Sequence, residues 1–198
     1  EDEAEALGEG YYQIALSTDS SDQCERLHLA EYERLRAMRA NGYGNSAVAV
    51  EQATSLFVVA EAKGYERAAA NYLAIIAGSS ATQEERFAAK EIIVDRYPTS
   101  VYAFRSKVDL AGKAYHEGDK QKAKILAVDA LAQASGTYEK EYAENLRYNV
   151  LYINAVLLDE EGRSDLSAPM WNEIDQYKYK DSWIYVDEIM KGKPSGYY

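Results

Sequence analysis

Apolar residues recur at helical spacing along nearly all of this 198-residue chain, and capping or glycine-bearing stretches cut that periodicity into about ten segments. A first helix is expected over 2–17. The polar run Thr18, Asp19, Ser20, Ser21, Asp22 follows, with Asp22 and Glu25 at capping-box spacing, and opens a second helix ending near Ala40. Gly42 and Gly44 sit where a helix can stop in the left-handed conformation. Further helices are expected over 46–63 and 66–77, with Gly64 as the turn between them. Thr82 and Glu85 form a second capping box that opens a helix to Arg96, and Pro98 blocks its continuation. The remaining helices are expected over 100–116, 120–134, 138–160, 167–179 and 182–190, followed by an irregular tail at 191–198.

These segments are roughly 12 to 20 residues long and joined by loops of about two to five, which forces neighbours to run antiparallel. A closed bundle would need every apolar stripe to converge on one axis. Helices that bury two flanks against successive neighbours make an open stack instead. The expectation is one all-α domain over 1–190, and only three prolines and twelve glycines stand in the way of long helices.

Leu110, Ala111, Ala114, Gly118, Asp119, Ala123, Ala127, Ala130 and Leu131 together resemble a tetratricopeptide repeat. Small residues at 114 and 123 let paired helices approach, and Gly118 with Asp119 makes the turn. A second copy is suggested by Gly64, Tyr65, Ala68, Tyr72, Ile75 and Ile76, and a third by Asn154, Ala155, Leu158, Gly162 and Trp171. Ala68 and Ala123 are 55 residues apart. That is no multiple of the family's period of about 34, so the helix over 82–96 reads as an interruption of the register. The resemblance implies a right-handed α-solenoid of antiparallel hairpins. The string from Arg96 to Ala103, followed by Tyr115 to Asp119, is similar to the linker and repeat of bacterial envelope members, among them outer-membrane assembly lipoproteins and periplasmic coordinators. A periplasmic or otherwise exported setting is what that similarity implies, with the cytoplasm as the alternative. The chain opens on Glu1 rather than Met, and Cys24 lies well inside it, where a lipid-bearing first residue would not be.

In the same family the first helix of each hairpin lines a concave surface that holds extended peptides or helices. Carried onto this sequence, that places Phe57 and Glu61 on the groove from one hairpin. Arg105, Val108, Gly112, Tyr115 and His116 would come from the next, and Asn149, Tyr152, Val156 and Asp159 from the last. The implied function is a non-catalytic scaffold or adaptor for a protein or peptide partner. A binding protein for a small molecule or peptidoglycan fragment is the alternative, and it requires a closed pocket.

Charge ranks the partners. A formal net charge of −11, with no visible basic stripe, argues against nucleic acid and favours a basic peptide among protein ligands. The longest apolar run, 150–158, is broken by Asn154 and falls short of the roughly 20 residues of a membrane span. Cys24 is alone, which excludes an internal disulfide. His28 and His116 lie in no metal-ligand motif, no nucleophile and base stand at recognisable spacing, and no phosphate-binding glycine loop is present, so neither cofactor nor catalytic residue is expected. The compositional anomaly is tyrosine, 18 copies against three phenylalanines. An aromatic with a polar tip suits half-buried helical grooves, and Tyr148 with Tyr152, like Tyr138 with Tyr142, falls one turn apart on a helix face.

Overall fold

The computed structural model describes residues 21–40, 43–133 and 140–175, with side chains over 26–40, 46–133, 148 and 150–174. The helices expected over 2–17 and 182–190, the tail, Cys24, the Asp22 box and the side chains of Tyr138 and Tyr142 lie outside the described side chains. Eight α-helices and no strand occur among the described residues. They are α1 (Ser21–Ala40), α2 (Tyr43–Ala62), α3 (Glu66–Ser79), α4 (Gln83–Arg96), α5 (Ala103–His116), α6 (Lys120–Gln133), α7 (Lys140–Glu160) and α8 (Ser164–Asp175). They fall into two compact units that divide after Tyr102.

In the first unit each helix packs on the next, and α1 also packs on α3. In the second, α5 to α8 pack consecutively, and α5 also meets α7. Consecutive antiparallel packing with a contact between alternate helices is the arrangement of a helical repeat.

Three hairpin corners share one construction. Gly64, Gly118 and Gly162 have φ of +74°, +82° and +74°. At each, the following amide reaches back five residues: Tyr65 N to Ala60 O at 2.9 Å, Asp119 N to Ala114 O at 2.9 Å, Arg163 N to Leu158 O at 2.8 Å. The glycine amides themselves bond three residues back, to Glu61, Tyr115 and Asp159. This is the Schellman pattern, which satisfies carbonyls that a helix end leaves unpaired and needs a left-handed residue at its pivot. Burial repeats with it. The fourth, eighth and eleventh residues before each glycine and the fifth after it are buried in all three copies, as at Ala60, Leu56, Ala53 and Ala69.

The core of the second unit shows why alanine dominates these positions. Ala111 and Ala114 of α5 meet Ala123, Ala127 and Ala130 of α6, and the narrow gap is closed by Phe104, Val108, Val150, Ile153 and Leu157. Small residues set the close helix approach, and larger ones from α7 fill the remaining space.

Several boundaries differ from expectation. The chain is helical from Tyr43, so Gly44 lies within α2 instead of ending the preceding segment. A glycine costs about 1 kcal/mol in a helix, which the packing of a 20-residue helix outweighs. α5 starts at Ala103 rather than Ser100, because residues after Pro98 form turns, with Ser100 N on Tyr97 O at 3.0 Å. α8 starts at Ser164 rather than Ser167, directly out of the Gly162 corner, and carries Pro169 inside it. The Thr82 box forms as expected: Glu85 N donates to Thr82 Oγ1 at 3.2 Å, and Thr82 N to Glu85 Oε2 at 3.4 Å.

Candidate functional site

The first unit contains an open cleft of about 450 Å³. One wall is a single face of α1, with Leu29, Tyr32, Glu33 and Arg36 at the three- and four-residue steps that align side chains on a helix. The facing wall is the start of α3, with Glu66, Arg67, Ala70 and Asn71 at the same steps, and the segment 97–102 closes one side. The contact between α1 and α3 holds the two walls together.

A polar chain crosses this cleft. The hydroxyls of Tyr102 and Tyr32 are 2.8 Å apart, and Tyr102 Oη is 3.1 Å from Asn71 Oδ1. A phenol carries one proton and a carbonyl oxygen can only accept, so Tyr102 donates to Asn71 and Tyr32 donates to Tyr102. Burial pushes the Tyr102 hydroxyl well above its ordinary range, and the bond with Tyr32 adds to this. Tyr97 is raised too, by burial first and then by Glu61. These phenols therefore act as hydrogen-bonding groups and not as phenolate bases near neutral pH.

The charged groups of the cleft are not equally engaged. Arg36 pairs with Glu33 at 3.6 Å, both of them exposed. Arg67 and Glu66 form no ion pair among the described residues. Asn71 is 8% exposed, and its amide nitrogen bonds no described residue, while Ser100 Oγ is buried without a partner. An amide so placed has donor capacity left over.

Behind α1, on its other side, lies a second polar cluster. His28, 1% exposed, places Nδ1 2.7 Å from the Tyr72 hydroxyl, which is itself 3.2 Å from the His28 carbonyl. Both contacts are satisfied when Nδ1 bears the imidazole proton. The ring also packs against Tyr65, with centroids 5.7 Å apart. Burial lowers the His28 pKa and raises that of Tyr72. One turn along α1, the fully buried Glu31 receives Arg34 Nε at 2.9 Å, and Arg34 also reaches Gln52. This cluster joins α1 to α2 and α3 and so fixes the position of the cleft wall.

The residues expected to line a groove divide between the two units. Phe57 is half-buried on α2. Glu61, near the end of α2, ion-pairs with Arg96 and lies 3.5 Å from the Tyr97 hydroxyl. In the second unit Arg105 is exposed and pairs with Asp109 at 3.9 Å. Val108, 1% exposed, is in the core and presents no accessible surface; Gly112 is buried as well. His116 is exposed, packs edge-on against Tyr115, and has its pKa lowered by desolvation. Asn149 is on α7, and its side chain lies outside the described residues.

Three of these residues do come together. Tyr152, 5% exposed, packs against Tyr115 and Val156, joined by Trp171 and Ile174 of α8. Asp159 fastens this group, accepting Trp171 Nε1 at 2.8 Å and the Ser167 hydroxyl. Burial, then Tyr115, pushes the Tyr152 hydroxyl up to about 12. Tyr152 is thus covered by Trp171, edge-on at 5.5 Å, and its aromatic surface is already occupied from within the chain.

The α1/α3 cleft was not among the sequence-based expectations. The tyrosine excess was the relevant signal, but Tyr32, Tyr97 and Tyr102 are separated by up to 70 residues and meet only through the packing of alternate helices. Among the described residues no three His, Cys, Asp or Glu side chains gather as a metal-ligand set, and no helix is long and apolar enough to cross a membrane. No family model matches this chain, and neither does any curated protein or solved structure.

Proposed function

We propose that this protein is a non-catalytic helical-repeat adaptor, a right-handed α-solenoid of about ten helices of the tetratricopeptide kind, which binds a segment of a partner protein. The observation that carries the reading is the cleft between α1 and α3. It is elongated by construction, following two helix faces, and it offers aromatic surface, hydroxyls and an unfilled amide along its length. Those are the groups that hold a peptide by burying its side chains and bonding its backbone. The three Schellman corners and their shared burial pattern support the repeat architecture. The envelope setting rests on the similarity of residues 96–119 to envelope repeats, and fractionation of cells making the full gene product tests it.

The binding reading is tested by selecting peptides from a displayed random library on the folded protein and measuring their affinity for variants. Val101→Asp charges the exposed rim of the cleft. It should weaken selected peptides by about tenfold or more, as a charge placed in an apolar contact does. Ile125→Asp, on exposed surface of the other unit, should leave them unchanged. Equal affinity for both variants and the parent rejects the cleft as the site.

A second reading has one observation in its favour. A volume of about 450 Å³ also falls within the range of small-molecule sites. A thermal-shift screen with soluble cell-wall fragments separates it, since a small ligand would stabilise the protein without any peptide.

A further inference from the structure

We infer that the α1/α3 cleft selects a peptide segment bearing an acidic side chain, whose carboxylate is taken by Arg67 and the Asn71 amide. The inference rests on the peptide-binding reading above and names the chemistry that the cleft prefers.

Two observations carry it independently. Arg67 is a guanidinium on the cleft wall with no ion pair among the described residues, whereas its counterpart Arg36 is held by Glu33. Asn71 stands four residues further along α3, on the same face, more than nine-tenths buried. Its oxygen is taken by Tyr102 and its nitrogen bonds no described residue. That nitrogen is within reach of solvent, so it is a donor that a ligand acceptor can take over from water. An amide donor and a forked guanidinium one helical turn apart together match a carboxylate, which accepts through two oxygens.

The competing choice is a lysine side chain held by Glu66. Glu66 does lie on the same wall, and the overall charge of −11 favours a cation at long range. That field decays over about 8 Å at physiological ionic strength, so groups in contact decide the outcome. Within the cleft Glu33 and Glu66 are balanced by Arg36 and Arg67, and Asn71, whose oxygen Tyr102 already occupies, offers the ligand a donor. The basic partner expected from net charge alone is replaced by an acidic one at the point of contact.

The test is an NMR titration of the whole protein, labelled with nitrogen-15, with three capped amino acids as probes: N-acetyl-glutamate amide, N-acetyl-glutamine amide and N-acetyl-lysine amide. The glutamate compound should shift the Asn71 side-chain amide and Arg67 Nε signals saturably, and bind about fivefold or more tightly than the glutamine compound. Arg67→Gln should abolish that preference, while Arg163→Gln, on exposed surface of the other unit, leaves it within about twofold. Arg67 is exposed, so an otherwise unchanged spectrum verifies the fold of the variant.

Equal binding of glutamate and glutamine compounds, or a preference that survives Arg67→Gln, overturns the assignment. So does a preference for the lysine compound, which would place the Asn71 oxygen and Glu66 toward the ligand. The peptide selection separates the two levels of the reading. Cleft-dependent peptides without enriched Asp or Glu sink this inference and leave the adaptor standing; no cleft-dependent peptide at all sinks both.

Discussion

Gly118 and Gly78 show how the same substitution takes opposite signs at two positions. Gly118 has φ +82° with open space where a Cβ would go, so alanine there meets no clash and bears only the backbone penalty. Gly118→Ala should cost about 1–2 kcal/mol. Gly78 lies within α3 at ordinary φ, and an added Cβ would meet only the end of the Arg39 side chain, at 2.7 Å, which can swing into solvent. Gly78→Ala should therefore stabilise by up to about 1 kcal/mol through helix propensity. Urea unfolding of the two variants checks the pair, and equal signs would contradict the account. His28 gives a pH dependence at the same scale. Burial lowers its folded pKa from 6.5, so between 6.5 and that lower value the unfolded chain binds more protons. The stabilisation is complete above pH 6.5 and is lost as pH falls from there through the lower folded value. His116 is shifted in the same direction and adds to the slope. His28→Gln should flatten the stability difference between pH 7.5 and 5.5, measured by denaturant unfolding at both; an unaltered slope would assign the dependence elsewhere.

For single elements, the features that were legible in the sequence are those whose cause is local. The Thr82 box was readable because both of its bonds lie within four residues, and the same locality makes it testable: Thr82→Ala should cost about 1 kcal/mol and raise amide exchange in the first turn of α4 before anywhere else. The corners at Gly64, Gly118 and Gly162 were readable for the same reason. Misplaced boundaries arose where a local signal met a tertiary one. Gly44 is a stop signal by propensity, yet α2 runs through it. The expected start at Ser167 is late: the Gly162 corner returns the chain to helix at Ser164, three residues earlier, and Ser167 is buried against Asp159. The candidate site was not legible. Its walls come from 29–36, 66–71 and 97–102, and no periodicity within any one of them says that α1 meets α3. Tyr115, Tyr152 and Val156 were placed together by the repeat alignment and do meet, but the covering Trp171 depends on the path of α8.

Across the whole molecule, the excess of 33 acidic over 22 basic residues sets the behaviour in solution. Repulsion between copies should vanish near the pI of about 4.7, so turbidity at fixed concentration should peak close to that pH and fall on either side. A maximum displaced by more than about one pH unit would show that an apolar surface, and not charge, governs association. The division after Tyr102 gives each unit its own set of packed helices, and nearly all the bonds that define a corner span six residues or fewer. The corners have a consequence for how the chain is made. The turn of a hairpin such as α2–α3 closes within its own residues and both its helices exist once residue 79 has been synthesised, while α4 covers the remaining face of α3 afterwards. Order of translation can then serve as order of assembly: the growing polypeptide adds finished hairpins one after another, and an interrupted message still leaves the ones already emerged with their corners closed.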